Sequence, residues 1–141
     1  MNDLSSLDEI LETFGYLDEW EERYRYLIEL GTELAPLPQE VKTDEYKVEG
    51  CLSNVWLLCR YADKEGKLYL EAESDAAIVQ GLVAVLMATY NGQSPEYILD
   101  FDFENLFHKL GFGQNLSRSR SNGLRAMISH IHQFAERYRQ K

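Results

Sequence analysis

Val48-Glu49-Gly50-Cys51-Leu52-Ser53-Asn54-Val55-Trp56 is the stretch on which the reading of this chain turns. A cysteine directly follows a glycine, and Val55-Trp56-Leu57-Leu58 then opens the most strand-like run in the sequence. Gly50 suits a sharp turn or a bulge, because glycine adopts backbone angles closed to other residues. The Cys51 thiol is therefore expected on a loop that a rigid strand positions, which is where reactive side chains are commonly mounted. Free cysteine is also among the most buried residue types, so the residues alone leave packing and chemistry both open at this position.

Outward from that stretch the pattern is mixed α and β. Tyr46-Lys47-Val48 reads as a short strand and Ser53 to Tyr61 as the main one. Asp63-Lys64-Glu65-Gly66 is a hairpin turn. Lys67 to Glu73 alternates polar and apolar residues, as a half-buried strand does. These three segments predict a small antiparallel three-stranded sheet. On the N-terminal side, Ser6-Leu7-Asp8-Glu9 is a capping box for a helix through Phe14 that Gly15 ends. A second helix starts at Asp18-Glu19-Trp20-Glu21, with acids in its first turn. It carries Trp20, Tyr24, Leu27, Ile28, Leu30 and Leu34 on an apolar face, and Pro36 and Pro38 break it.

On the C-terminal side, Ser74 or Asp75 is placed to cap a helix from Ala76 to about Tyr90. That helix is apolar all round and uncharged, so it is buried, and it is expected to pack across the sheet. Asn91-Gly92 ends it, and Ser94-Pro95 opens a further short helix. Gly111 and Gly113 punctuate a loop, and Ser117, Ser119 and Asn122 read as caps and turn formers. A last helix begins between Ser117 and Gly123, with Leu124, Met127, Ile128, Ile131, Phe134, Ala135 and Tyr138 inward. The fold class is α+β, with helices packed on one face of the sheet. No internal repeat or long linker divides residues 1–141, which are read as one domain.

Composition narrows the functional classes. The chain is 45% hydrophobic and 27% charged, which gives no compositional case for disorder. The start, Met1-Asn2-Asp3-Leu4, lacks the basic and apolar regions of a signal peptide. The longest uncharged run, Ala76 to Pro95, is too short in its apolar part to span a bilayer. With few cysteines as well, the expected compartment is the cytoplasm. The net charge of −10 is concentrated in residues 1–49, which hold fourteen acidic and four basic residues. Such a chain lacks the basic footprint of a nucleic-acid binder. The last stretch, Ser117 to Lys141, holds six basic residues against one acidic. A cluster of Arg118, Arg120 and Arg125 there suits an acidic protein surface.

Cys51 and Cys59 make neither a disulfide framework nor a metal motif. His108, His130 and His132 do not form a zinc signature, so no metal and no cofactor is expected. Cys59 lies within the main strand, where packing is its expected role. A cysteine hydrolase or transferase remains a reading of Cys51, since its base need not be near in sequence. No phosphate loop or dinucleotide fingerprint is present.

Four blocks, in order along nearly the whole chain, carry a family resemblance. Gly50-Cys51-Leu52-Ser53-Asn54-Val55-Trp56 resembles the Gly-Cys-Gln-Ser-x-Val-Trp signature of the SufE family, with Leu52 in place of the glutamine. The others are Trp20-Glu21-Glu22-Arg23-Tyr24 with Ile28-Glu29-Leu30-Gly31, Ser74 to Leu82, and Leu116 to Leu124. The paralogous CsdE branch is resembled equally. The resemblance implies a SufE/IscU-like fold and a non-enzymatic sulfur carrier. Such a carrier takes persulfide sulfur from a cysteine desulfurase of the SufS or CsdA type, stimulates it, and passes the sulfur on for iron–sulfur cluster assembly. It implies Cys51 as the acceptor and Asp75 and Arg120 as partner contacts. A downstream scaffold and a second copy of the chain are the further candidate partners, with no nucleic acid and no membrane. A binding module that activates the desulfurase without carrying sulfur is the third reading.

Overall fold

In the computed structural model, which describes residues 5–51 and 53–139, two helices precede a β-hairpin and five helices follow it. Helix α1 (Leu7–Tyr16) starts at the predicted capping box: the Glu9 N–H donates to Ser6 Oγ at 3.2 Å and the Ser6 N–H to Glu9 Oε1 at 2.8 Å. It does not stop at Gly15 but runs on to Tyr16. The carbonyls at its end have a partner: Arg23 donates through Nε to Leu17 O and through Nη2 to Phe14 O. Phe14 O also takes the Leu17 N–H at 3.2 Å, so the end of the helix stays bonded past glycine.

Helix α2 (Trp20–Gly31) lies against helix α3 (Ala77–Tyr90) at very short range. A Cβ built on Gly81 would stand 2.1 Å from the Leu27 carbonyl oxygen, so only glycine permits this crossing. Ten of the fourteen residues of α3 are buried, which identifies it as the core helix that its all-round apolar sequence predicts. Of its two residues with buried hydroxyls, Thr89 donates through Oγ1 to Val85 O at 2.8 Å and Tyr90 Oη approaches His132 Nε2 at 3.5 Å.

Strands β1 (Val55–Ala62) and β2 (Lys67–Ser74) pair antiparallel from Val55–Ser74 to Ala62–Lys67. The turn between them is the one predicted, with Gly66 at φ 68. Leu68, Leu70, Ala72 and Ser74 of β2 alternate inward beneath α3. Among the described residues the sheet has two strands, not three. Tyr46–Val48 meets β1 only at the single bridge Lys47–Trp56, held by Val48 N–H to Val55 O and Leu57 N–H to Tyr46 O. Turn hydrogen bonds at 43–47 precede it and Gly50, at φ 92, follows, so the ladder has no room to extend. The far edge of β2 is closed in the same way, by Leu68 N–H to Gln93 O and Gly92 N–H to Leu68 O. Short irregular segments thus cap one end of each edge, at Val55–Leu57 and at Leu68–Leu70, which blunts edge-to-edge association there.

Helix α4 (Pro95–Asp100) has the predicted serine cap and leading proline. Two further short helices follow, α5 (Phe103–Lys109) and α6 (Phe112–Asn115), the second where the sequence predicts a loop around Gly111 and Gly113. Gly113 lies inside α6. Helix α7 (Arg118–Arg137) begins at Ser117, whose Oγ accepts the Arg120 N–H at 3.3 Å. Ser119 and Asn122 are therefore helical, not turn residues. Neither Ser74 nor Asp75 caps α3 by side chain. Asp75 is drawn instead to Asn54, and the Ser74 hydroxyl accepts only from Ala76 N–H at 3.2 Å.

Candidate functional site

The left-handed backbone at Gly50 turns the chain over α7, where a Cβ on this residue would come 3.3 Å from that of Ala126. Cys51 is thereby laid, half-buried, against the middle of α7. Its thiol donates to the Gly123 carbonyl at 3.5 Å. A Cβ on Gly123 would lie 3.4 Å from Sγ, so the absence of a side chain there leaves the thiol its place. Behind the loop, Asp75 acts as a clasp. Its carboxylate accepts the Asn54 N–H at 3.1 Å and Asn54 Nδ2 at 2.8 Å, and its own N–H donates to Asn54 O at 3.2 Å. The segment carrying Cys51 is thus pinned to the β2–α3 junction three residues past the thiol.

Cys51 opens on a cleft of about 350 Å³ between this loop, α3 and the first half of α7. Val79, Leu82, Leu124 and Met127 form its apolar wall, and Ser53, Ser117, Ser119 and Arg120 its polar one. Burial pushes the Cys51 thiol above its ordinary pKa. The Arg120 guanidinium lies over the Tyr24 ring at 5.9 Å and has no ion-pair partner among the described residues. The lining residues include no histidine or carboxylate, so the cleft itself supplies no general base of the kind a cysteine hydrolase uses.

Of the residues singled out from sequence, Cys51 and Arg120 share this cleft, and Asp75 does not line it. The three arginines do not cluster. Arg125 is turned to Glu104 at 3.0 Å and lies over the Phe107 ring at 4.5 Å. At about 100° per residue, positions 118 and 120 face nearly opposite ways on a helix. The family glutamine position, Leu52, falls outside the described residues. Cys59 is on β1, and burial raises its pKa to about 12, so it stays a thiol. His132 approaches Tyr90 Oη at 3.5 Å, and burial lowers its pKa. It lines a separate groove with Phe101, Phe103 and Ile128. No group of three His, Cys, Asp or Glu residues placed to hold a metal occurs among the described residues, nor any helix long and apolar enough to cross a membrane. Sequence reasoning missed Ser53, Ser117, Ser119 and Gly123 as cleft residues. The signal for Ser53 was the block Gly50–Trp56, and for the other three the block Leu116–Leu124, in which small residues recur.

Fold and site together define an α+β protein that presents one half-buried thiol beside an apolar and cationic cleft. The chain belongs to the SufE family: residues 8–135 match its model, described as the Fe-S metabolism associated domain. It is 47% identical over 135 residues to an uncharacterized SufE-like protein of Rhizobium etli, covering 94% of this chain and 91% of the relative. A second uncharacterized SufE-like protein, from Rhizobium meliloti, is also 47% identical, over 94% of this chain and 96% of its own. The solution structure of a hypothetical protein from Thermus thermophilus has the same fold, with a TM-score of 0.74 over 94% of both chains at 22% identity.

Proposed function

We propose that this chain, acting as one domain in the cytoplasm, accepts sulfur on Cys51 from the persulfide of a cysteine desulfurase, stimulates that enzyme, and hands the sulfur on toward iron–sulfur cluster assembly. The observation that carries the reading is the half-buried Cys51 thiol, on a glycine-hinged loop over a cleft that a further sulfur atom can enter. Membership of a family associated with Fe-S metabolism supports it. In the transfer, the Cys51 thiolate attacks the outer sulfur of the partner's persulfide. A new S–S bond forms on Cys51, the partner's S–S bond breaks, and its electron pair returns to the partner's cysteine, which takes up a proton. No net oxidation occurs. The apolar wall then keeps water and other thiols from the bound sulfur. Arg120 at the cleft and exposed Asp75 beside the loop belong to the surface that faces the desulfurase in this reading.

Incubation with a desulfurase and cysteine, followed by mass spectrometry, tests it. A gain of about 32 mass units, one sulfur atom, is expected on the peptide containing Cys51 and not on that containing Cys59. Cys51→Ser should abolish the gain without loss of fold. Stimulation of the desulfurase that persists in full in Cys51→Ser would instead favour an activator that carries no sulfur.

A further inference from the structure

The cleft is larger than a persulfide requires. Its volume of about 350 Å³ compares with roughly 30 Å³ for one water in the liquid, and it falls within the usual range of small-molecule sites. Its polar side is cationic and rich in hydroxyl donors: Arg120, Ser53, Ser117 and Ser119. In a chain of net charge −10, where Lys42, Arg125 and Arg139 each pair with a glutamate, Arg120 has no carboxylate partner among the described residues. A half-buried, uncompensated guanidinium beside hydroxyls, with no carboxylate in the lining, favours an anion.

We propose that the cleft binds a small oxyanion that is itself a sulfur nucleophile, of which sulfite is the simplest, and discharges the Cys51 persulfide to it. The proposal rests on the sulfur-acceptor reading above and names a small-molecule acceptor for the same site. Arg120 and the serine hydroxyls hold the sulfite oxygens, which leaves its sulfur lone pair free to face the outer sulfur on Cys51. That lone pair attacks the outer sulfur and a new S–S bond forms. The bond between the outer sulfur and Cys51 Sγ breaks, and its electron pair stays on Sγ. The proton of the persulfide passes to Sγ, so the products are thiosulfate and the Cys51 thiol. No external oxidant or reductant is consumed.

The full chain is loaded with a desulfurase and cysteine, separated from both, and checked by mass for the added sulfur. It is then mixed with sulfite over a range of concentrations while thiosulfate is measured. The expected rate saturates with sulfite and is slowed by sulfate, which binds as an oxyanion but has no nucleophilic sulfur. Arg120→Ala should lower the rate at low sulfite roughly tenfold or more, as loss of a charge-assisted hydrogen bond does, and make the dependence linear. Arg120→Lys should recover part of the loss. Ser119→Ala, at an exposed helical position, should weaken sulfite binding in the same direction and serves if the arginine variants misfold. A linear, sulfate-insensitive discharge by the wild-type chain, or an Arg120→Ala protein that discharges equally fast, would overturn the proposal. So would saturation seen with cysteine as acceptor and not with sulfite. Failure of loading would instead strike the acceptor reading. The cleft is then tested on the unloaded chain by alkylating Cys51 with iodoacetamide: protection by sulfate supports the anion site, and its absence overturns it.

Discussion

Gly123→Ala separates what the fold wants in the first half of α7 from what the thiol wants. Glycine in a helix interior costs about 0.8–1.0 kcal/mol relative to alanine. The added methyl would stand 3.4 Å from Cys51 Sγ and 3.8 Å from Cys51 Cα and Cβ. Those distances are near the van der Waals optimum of roughly 3.5–4.0 Å, so a small shift admits the methyl at little cost. The net effect on folding is a gain of about 0.5–1 kcal/mol. In a domain of this size that corresponds to a rise in Tm of roughly 2–4 °C. The persulfide is affected in the opposite sense. Its outer sulfur lies about 2.05 Å from Sγ, and the methyl takes the space on the α7 side of that bond. Sulfur loading should fall several-fold while the protein melts higher. Thermal melts read the first quantity and mass spectrometry after a fixed time with desulfurase and cysteine reads the second. Wild-type loading in a stabilised Gly123→Ala protein would refute the argument that the missing side chain is kept for the sulfur. A lowered Tm would show that the contact at the thiol is tighter than the geometry states.

Three further outcomes follow from the same structure. Gly81→Ala places a methyl 2.1 Å from the backbone oxygen of Leu27, which has no rotamer to yield, so despite the helix-propensity gain it should destabilise by about 3 kcal/mol, read as a lower urea midpoint. Between pH 9 and 12 the unfolded chain ionises Cys59 while the folded chain, with its pKa raised to about 12, keeps the proton. The unfolded state then binds fewer protons, stability falls as pH rises through that window, and Cys59→Ala should show a shallower fall by urea titration at each pH. Asp75→Ala removes two hydrogen bonds to Asn54 on an exposed loop; it should cost about 1 kcal/mol and speed hydrogen exchange at the Asn54 amide, and an unchanged exchange rate would count against the clasp.

How far the sequence could be read depended on whether the determining interaction was local. The capping box at Ser6 and Glu9, the turn at Asp63–Gly66 and the Ser94-Pro95 helix start are set by neighbours within a few residues, and all were legible. The third strand failed because strand length is fixed by what flanks it, here a turn and a left-handed glycine. Asp75 looks like a helix cap in sequence, yet its carboxylate reaches an asparagine twenty-one residues earlier that offers two donors at once. No local rule anticipates that choice. Gly31 and Gly81 stand in the blocks that carry the resemblance, but their packing role appears only where α2 and α3 cross at them. For the site, Cys51 and Arg120 were found by motif; Gly123 and the serines of the cleft stand in the same blocks, but their place at the thiol shows only when α7 is laid against the loop.

The burial that raises the Cys51 pKa runs against the need for a nucleophilic thiolate. Two features at the cleft could oppose it: the Arg120 guanidinium and the N-terminal half of α7. The guanidinium is engaged over Tyr24, and Gly123, the residue that meets the thiol, lies past the first turn, where a helix dipole has largely faded. The thiol also donates to a carbonyl, a bond that favours the neutral form. At rest, then, burial wins and Cys51 is held protonated. In the proposed transfer, that arrangement keeps the thiol quiet until a partner docks. A permanently ionised cysteine would react with any disulfide or oxidant it met, whereas in the proposed transfer Cys51 ionises only when a partner opens the loop and lifts it from Gly123. In the same proposal the closed position shelters the sulfur afterwards. Acceptance and protection thus call for opposite positions of one loop, and the single thiol–carbonyl contact at 3.5 Å is weak enough for docking of a partner to decide between them.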